Sequence, residues 1–145
     1  ITDKPSWKIK KDLADFDVIF ISGGNTFYAL EKIQHSGCAE IIRDYVEHGK
    51  IYIGSSAGSI LARPDIYPTY YLDAVEKAPN LKGYGGLGLI DIVVLPHWGS
   101  DYFKKLYLNK RLEHAYTLNH KIILLTDTQY LYVEGDTYRI IDVRK

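Results

Sequence analysis

The chain contains no methionine and only one cysteine, Cys38, among its 145 residues. A single cysteine excludes an internal disulfide framework and fits a reducing compartment, so we expect a cytoplasmic protein. No apolar run approaches the roughly 20 residues of a membrane-spanning helix, and no signal peptide is recognisable, which argues against a membrane partner. The missing methionine and the polar start over residues 1–11 predict a fragment or a chain without its natural beginning.

Net charge is absent as well, since 18 acidic residues balance 18 basic ones and the formal charge is +0. Such a balance gives no electrostatic reason to expect a nucleic-acid partner. The sequence also lacks His-x-x-x-His and Cys-x-x-Cys spacings, so we expect no metal and no cofactor. With 46% hydrophobic residues, the length suffices for one domain over residues 1–145 with a real core.

Apolar segments alternate with segments of helical periodicity along the chain. The pattern predicts parallel strands at 17–22, 51–54, 90–95 and 121–126, helices at 8–15, 26–35, 38–48 and 101–116, and a terminal hairpin around Gly135-Asp136. Such alternation is typical of an α/β fold, a three-layer sandwich with a mainly parallel sheet, and here it ends in a β-hairpin. The irregular stretch 60–88 is long enough to suggest a functional loop.

Residues 54–58 read Gly-Ser-Ser-Ala-Gly, a G-x-S-x-G motif between a β-branched strand and a helix-compatible run. This context predicts a nucleophile elbow, a turn so tight that small residues must flank the serine. Ser56 would stand at the carboxyl end of its strand as the nucleophile.

In a parallel sheet, ligands bind at the carboxyl ends of the strands. His97 closes a strand at that edge and is the best candidate for the base that Ser56 needs. The acid that orients the imidazole is either Asp127, at the end of the next strand, or Asp73, in the long loop. Sequence alone does not separate these two. Weaker acidic options in the same loop are Asp65 and Glu76.

An acyl-transfer site also needs N–H donors for the oxyanion. The residue after the nucleophile, Ala57, commonly supplies one, and Gly24 in the Gly-Gly-Asn turn after the first strand is the natural second source. A phosphate-binding turn is the rival interpretation of these glycines, but neither G-x-G-x-x-G nor a Walker-type lysine is present. Arg111, on the helix after His97, has the geometry to bind a substrate carboxylate.

Three motifs together resemble the dipeptidase E (aspartyl dipeptidase) and cyanophycinase family of serine peptidases. They are Ile-Ser-Gly-Gly-Asn-Thr-Phe at 21–27, Gly-Ser-Ser-Ala-Gly-Ser at 54–59 and Leu-Pro-His at 95–97. That family has a fold similar to class I glutamine amidotransferases, which is flavodoxin-like. Its members begin with further strand and helix units, so the resemblance implies that N-terminal units are missing here. The chain departs from the family's Gly-Gly-Gly-Asn at Ser22.

The resemblance implies Ser56 as nucleophile, His97 as base, and an oxyanion hole at Gly24 and Ala57. It leaves the acid open, because the family's two placements map to the loop near Asp73 and to the strand end at Asp127. It also implies substrate-binding residues, with an arginine that reads a substrate's N-terminal aspartate. These residues would be Asn25 and Arg111.

We therefore expect a serine peptidase that acts on small peptides, including dipeptides with an N-terminal aspartate. Two alternatives stay open: an inactive amidotransferase-like binding or regulatory module, and a non-peptidase serine hydrolase such as an esterase. An uncovered sheet edge would favour pairing with another chain, so a homodimer is also expected.

Overall fold

The structure, a computed structural model, describes residues 4–144, apart from the side chains of Lys110 and Thr117. Its helices are α1 (Ser6–Leu13), α2 (Thr26–Ser36), α3 (Cys38–Glu47), α4 (Ala57–Leu61), α5 (Asp101–Leu106) and α6 (Leu112–Thr117). Its strands are β1 (Val18–Ile21), β2 (Ile51–Gly54), β3 (Val93–Leu95), β4 (Ile122–Leu124), β5 (Gln129–Glu134) and β6 (Thr137–Asp142).

The strands pair as an α/β fold requires. β1 pairs in parallel with β2, from Val18 opposite Ile51 to Ile21 opposite Gly54. β3 pairs in parallel with β4, and β5 with β6 forms the antiparallel hairpin. The α/β class, the parallel strands and the C-terminal hairpin are thus confirmed. Within the described residues the parallel strands form two hydrogen-bonded pairs, and β3 is shorter than the predicted 90–95.

One face of the β1–β2 pair is packed and the other is open. Ile19 points into the main core, where it joins apolar side chains of the helices, among them Phe27, Leu30, Ile42 and Leu61. On the opposite face, four apolar side chains are exposed in register. This outer face consists of Val18, Phe20, Ile51 and Ile53.

The β3–β4 pair is covered on both sides. Val93 and Leu95 pack with Tyr107 on the helical side. On the other side, Val94 and Leu125 pack with Leu131 of the hairpin. Buried runs of this kind are what a parallel pair with two covered faces requires.

The helical region after β3 differs from the continuous helix predicted at 101–116. It runs from Asp101 to Thr117, but Tyr107–Arg111 forms a π-helical turn between α5 and α6. The loop 60–88 contains two short 3₁₀ segments, Tyr67–Leu72 and Val75–Lys77. In the part of the chain that the structure describes, no helix is long and apolar enough to cross a membrane.

Candidate active site

Ser56 lies in a sharp turn between β2 and α4. Its φ of 53° and ψ of −115° are a strained backbone conformation for a residue with a side chain. The flanking glycines are sterically required. A Cβ on Gly58 would stand 2.1 Å from the carbonyl oxygen of Ile21, and one on Gly54 would stand 2.5 Å from the carbonyl oxygen of Gly58. The turn therefore has the geometry of a nucleophile elbow.

Ser56, His97 and Asp127 form a hydrogen-bonded chain. His97 Nε2 lies 3.0 Å from Ser56 Oγ, and His97 Nδ1 lies 2.6 Å from Asp127 Oδ1. His97 has a left-handed φ of 64°, and the next backbone N–H, that of Trp98, donates to Leu125 O at 2.8 Å. The ends of three strands, β2, β3 and β4, thus bring the three side chains together.

Asp73 is hydrogen-bonded to the start of α2 and not to His97. Its Oδ2 accepts hydrogen bonds from the backbone N–H of Thr26 at 2.9 Å and from the Thr26 hydroxyl at 2.5 Å. A carboxylate at a helix N-terminus also interacts favourably with the helix dipole. The geometry therefore gives Asp73 a capping role. Of the two acids between which the sequence does not decide, Asp127 is the one that contacts His97. Asp65, a weaker option, accepts from the N–H of Tyr67.

The expected oxyanion donors belong to two segments next to the serine, the glycine turn after β1 and the start of α4. A Cβ on Gly23 would meet Ser56 Cβ at 3.2 Å, so this turn passes directly beside the nucleophile. Gly24 has a φ of +139°, which glycine adopts without strain. Ala57 begins α4, where the first N–H groups have no partner inside the helix. Among the described residues, no acceptor takes the N–H of Gly24 or of Ala57.

Asn25, expected to bind substrate, is engaged within the protein. Its Oδ1 accepts from the N–H of Tyr28 at 2.9 Å and caps α2. Its Nδ2 donates to Ala74 O at 2.9 Å, which ties the long loop to the helix. The side chain therefore holds the glycine turn and the loop in place. Its part in substrate binding stays a prediction.

Arg111 ends the π-helical turn that begins at Tyr107. Its Nη1 is buried and has no hydrogen-bond partner among the described residues. Burial raises the pKa of the Tyr107 hydroxyl; the nearby Arg111 cation opposes this effect, whereas Asp73 and Asp127 add to it. The charges of Arg111, Asp73 and Asp127 thus all act on Tyr107, and the unpartnered buried N–H of Arg111 is a donor available to an anionic group.

The remaining nucleophile and base candidates lie apart from this arrangement. Cys38 is buried, and burial raises the pKa of its thiol, which disfavours the reactive thiolate. His48 contacts Asp44 O, and His120 contacts Arg63. Nowhere in residues 4–144 do three or more His, Cys, Asp or Glu side chains cluster in a way that could hold a metal ion.

Two residues near His97 are not among the site residues predicted from the sequence. Ser100 caps α5 and also donates to His97 O, and a serine directly before Asp101 is a recognisable capping signal. Phe103 stacks on the His97 ring with centroids 4.7 Å apart. Nothing in the residue pattern distinguishes Phe103 from the other aromatic residues of the chain.

The fold and this arrangement define an α/β protein with a serine nucleophile elbow. Comparison with known families narrows the class. The family model described as Peptidase family S51 matches residues 1–141, and the chain belongs to that family. The resemblance inferred from the three sequence motifs is thereby confirmed.

Individual relatives agree with this assignment. The chain is 30% identical over 128 residues to the uncharacterized peptidase Lmo0363 of Listeria monocytogenes, which covers 88% of this chain and 62% of that protein. It is 39% identical over 82 residues to peptidase E of Salmonella arizonae, covering 57% of this chain and 34% of that protein. The chain spans less than two thirds of the length of these curated relatives.

A solved structure shows the same fold. A candidate peptidase E protein from Listeria monocytogenes EGD-e superposes with a TM-score of 0.87 at 26% identity, over 99% of this chain and 68% of that one. A peptidase from an acI-B1 actinobacterium superposes with a TM-score of 0.71 at 17% identity, over 95% of this chain and 55% of that one, and shows the fold alone.

Proposed function

We propose that this chain is a serine peptidase that hydrolyses small peptides. The observation that carries the proposal is the hydrogen-bonded chain from Ser56 Oγ through His97 to Asp127, with 3.0 Å and 2.6 Å between the successive atoms. A serine hydroxyl is a weak nucleophile until a base accepts its proton, and this geometry supplies the base and the group that orients it. Family membership supports the same chemistry.

The reaction follows from these contacts. Ser56 Oγ attacks the scissile carbonyl carbon while His97 Nε2 accepts the hydroxyl proton. Asp127 accepts a hydrogen bond from the Nδ1–H group, stays ionised, and stabilises the imidazolium that forms. The N–H groups of Ala57 and Gly24 donate to the oxyanion, and His97 returns the proton to the leaving amine. Water then attacks the acyl-enzyme with His97 as base, which releases the acid and restores Ser56.

The finer part of the proposal concerns the substrate. Arg111 has a buried Nη1 without a hydrogen-bond partner in the described part of the chain, and its charge acts on Tyr107, as do the charges of Asp73 and Asp127. A guanidinium in this state suits a carboxylate, which forms paired hydrogen bonds with it. We therefore assign Arg111 to recognition of an acidic substrate group, as in a dipeptide with an N-terminal aspartate. A cytoplasmic location belongs to the proposal too and rests on the single, buried, free cysteine.

Turnover measurements test the activity. We expect the wild-type protein to hydrolyse dipeptides, and Ser56→Ala to lower kcat by about 10⁴-fold or more. Fast ester turnover with no peptide turnover would instead favour the esterase. No turnover of either substrate class would favour the inactive binding module.

A matched pair of variants tests the substrate assignment. Arg111→Gln should raise KM or lower kcat/KM for Asp-Leu by about 10- to 100-fold relative to Asn-Leu, because a charge-assisted pair is lost. Lys104→Gln removes an exposed positive charge from α5. This control should change neither KM nor kcat/KM for Asp-Leu relative to Asn-Leu. Equal losses on both dipeptides for Arg111→Gln would contradict the assignment while leaving the peptidase proposal intact.

A further inference from the structure

Both ring nitrogens of His97 have partners, yet those partners alone hold the ring loosely. Ser56 offers one small hydroxyl on the Nε2 side. Asp127, on the Nδ1 side, is a side chain with 60% of its surface exposed, and His97 itself is 30% exposed. A hydrogen bond this open to solvent contributes little rigidity. Both hydrogen bonds lie at the ring nitrogens and give no support to the two faces of the imidazole.

Phe103 covers one face of that ring. The two ring centroids are 4.7 Å apart and the planes are inclined by only 21°, so the rings are stacked. The stacked face is separate from the edge that carries the nitrogens. Phe103 therefore restrains the ring in the direction that the hydrogen bonds leave free.

A single hydroxyl joins the backbones of the two stacked residues. Ser100 Oγ donates to His97 O at 3.0 Å and accepts from the N–H of Phe103 at 3.3 Å. This hydroxyl links His97, whose φ is left-handed, to the start of α5 within seven residues. The local course of the backbone therefore holds the two stacked rings together.

The far side of Phe103 is braced by the core. Phe103 packs against the buried cluster of Val93, Leu95 and Tyr107. The Tyr107 hydroxyl donates to the carbonyl of Pro96, the residue before His97. Because Tyr107 is fully buried, this support is rigid.

We propose that Phe103 is a positioning residue for His97, and the inference rests on the proposed function. The stack keeps the imidazole aligned between Ser56 and Asp127. It also places a negative π face against the ring that becomes an imidazolium when Ser56 gives up its proton. The benefit arises in the transition state, so it raises kcat and leaves substrate binding unchanged.

Three variants test the rate effect. Phe103→Leu retains apolar volume and loses the π face, so kcat should fall about 2- to 5-fold with KM unchanged. Phe103→Tyr keeps the face and should retain the wild-type kcat. Tyr116→Leu removes a more exposed aromatic side chain, on α6, and should have no effect. A Phe103→Leu protein with wild-type kcat, or a Phe103→Tyr protein as slow as Phe103→Leu, would overturn the proposal.

A spectroscopic measurement separates this inference from the peptidase proposal. Ring currents from a stacked phenyl group shift the His97 side-chain proton resonances upfield, whether or not the protein is active. Those resonances should move downfield in Phe103→Leu and stay in place in Phe103→Tyr and Tyr116→Leu. Unchanged His97 resonances in a folded Phe103→Leu protein would overturn the positioning role. A wild-type protein without turnover but with the expected shifts would contradict only the proposed function.

Discussion

Ser56 has a strained backbone, and its side chain is hydrogen-bonded to His97. Its φ of 53° is held by the ladder of β2, by α4 and by two glycines that admit no side chain. Strain of this kind persists only where the surrounding structure over-determines it, and it gathers at functional sites. Ser56 is thus distinct from Ser55 and Ser59, which share the motif. The Ser59 hydroxyl donates back to Ser56 O within the helix.

The two candidate acids should differ sharply when their charge is removed. Asp127→Asn should lower kcat by about 10²- to 10⁴-fold, because an amide can hold the wrong imidazole tautomer and does not stabilise the imidazolium. Asp73 accepts its hydrogen bonds from Thr26 and not from His97. Asp73→Asn should therefore change kcat less than about threefold. Steady-state kinetics of both variants on one peptide measures the difference. Comparable small losses in both would mean that neither acid orients His97.

At the level of secondary structure, the elbow depends on close approach of β1 to α4. A methyl group added to Gly58 would collide with the carbonyl of Ile21, which is backbone and cannot move aside. Gly58→Ala should therefore destabilise the protein by about 3 kcal/mol. Gly85→Ala is the matched control, because a Cβ there meets its nearest atom at 4.0 Å. Urea denaturation compares the two, and equal midpoints would contradict the steric account.

Tyr107 lies where the π-helical turn packs against β3, and its hydroxyl should make the free energy of unfolding depend on pH in alkaline solution. Burial raises the pKa of its hydroxyl above the ordinary value, so above about pH 10 the unfolded state loses this proton while the folded state keeps it. The unfolded state then binds fewer protons, and the free energy of unfolding falls with pH, by up to about 1.4 kcal/mol per pH unit.

Tyr107→Phe should therefore show a shallower loss of stability above pH 10 than the wild-type protein. It should also be less stable by about 1 kcal/mol at neutral pH, since the hydrogen bond to Pro96 is lost. Tyr138→Phe, in the exposed hairpin, is the control. Denaturation series between pH 7 and 11 give the slopes, and identical slopes in wild-type and Tyr107→Phe proteins would contradict the assignment.

The elements that the sequence predicted well are those with a local signal. β2 has the predicted bounds, and α2 begins at the predicted Thr26 behind its Asn25 cap and ends before Gly37. The π-helical turn has no such local signal in the sequence, and its Tyr107 is held by a tertiary contact with Val93 and Leu95 of β3. Likewise, the choice between Asp127 and Asp73 depends on how the 60–88 loop returns to α2, which is a tertiary contact.

For the molecule as a whole, the outer face of the β1–β2 pair is the most unusual surface. Parallel strands are generally covered on both faces, yet Phe20 is 61% and Ile51 is 54% exposed here. An apolar patch of this kind marks an interaction site or an aggregation liability. The periodicity of the sequence predicts buried strands and does not indicate that this face is exposed.

The homodimer expected from the sequence stays a prediction, and this outer face is the place to test it. Ile53→Lys should reduce self-association, because a charge on the patch opposes burial against a second copy. Tyr138→Lys, which replaces an exposed apolar residue on the hairpin, should leave association unchanged. Light scattering coupled to size exclusion measures the mass. A wild-type protein that is a monomer at all accessible concentrations would contradict the homodimer.

The account as a whole depends on Ser56 as the reactive group, and covalent labelling tests this most directly. A fluorophosphonate reacts with an activated serine, and intact mass followed by peptide mapping identifies the site. We predict one adduct, located on Ser56, that persists in Ser55→Ala and disappears in Ser56→Ala. An unlabelled wild-type protein, an adduct on Ser55 or Ser59, or equal labelling of Ser56→Ala would contradict the account.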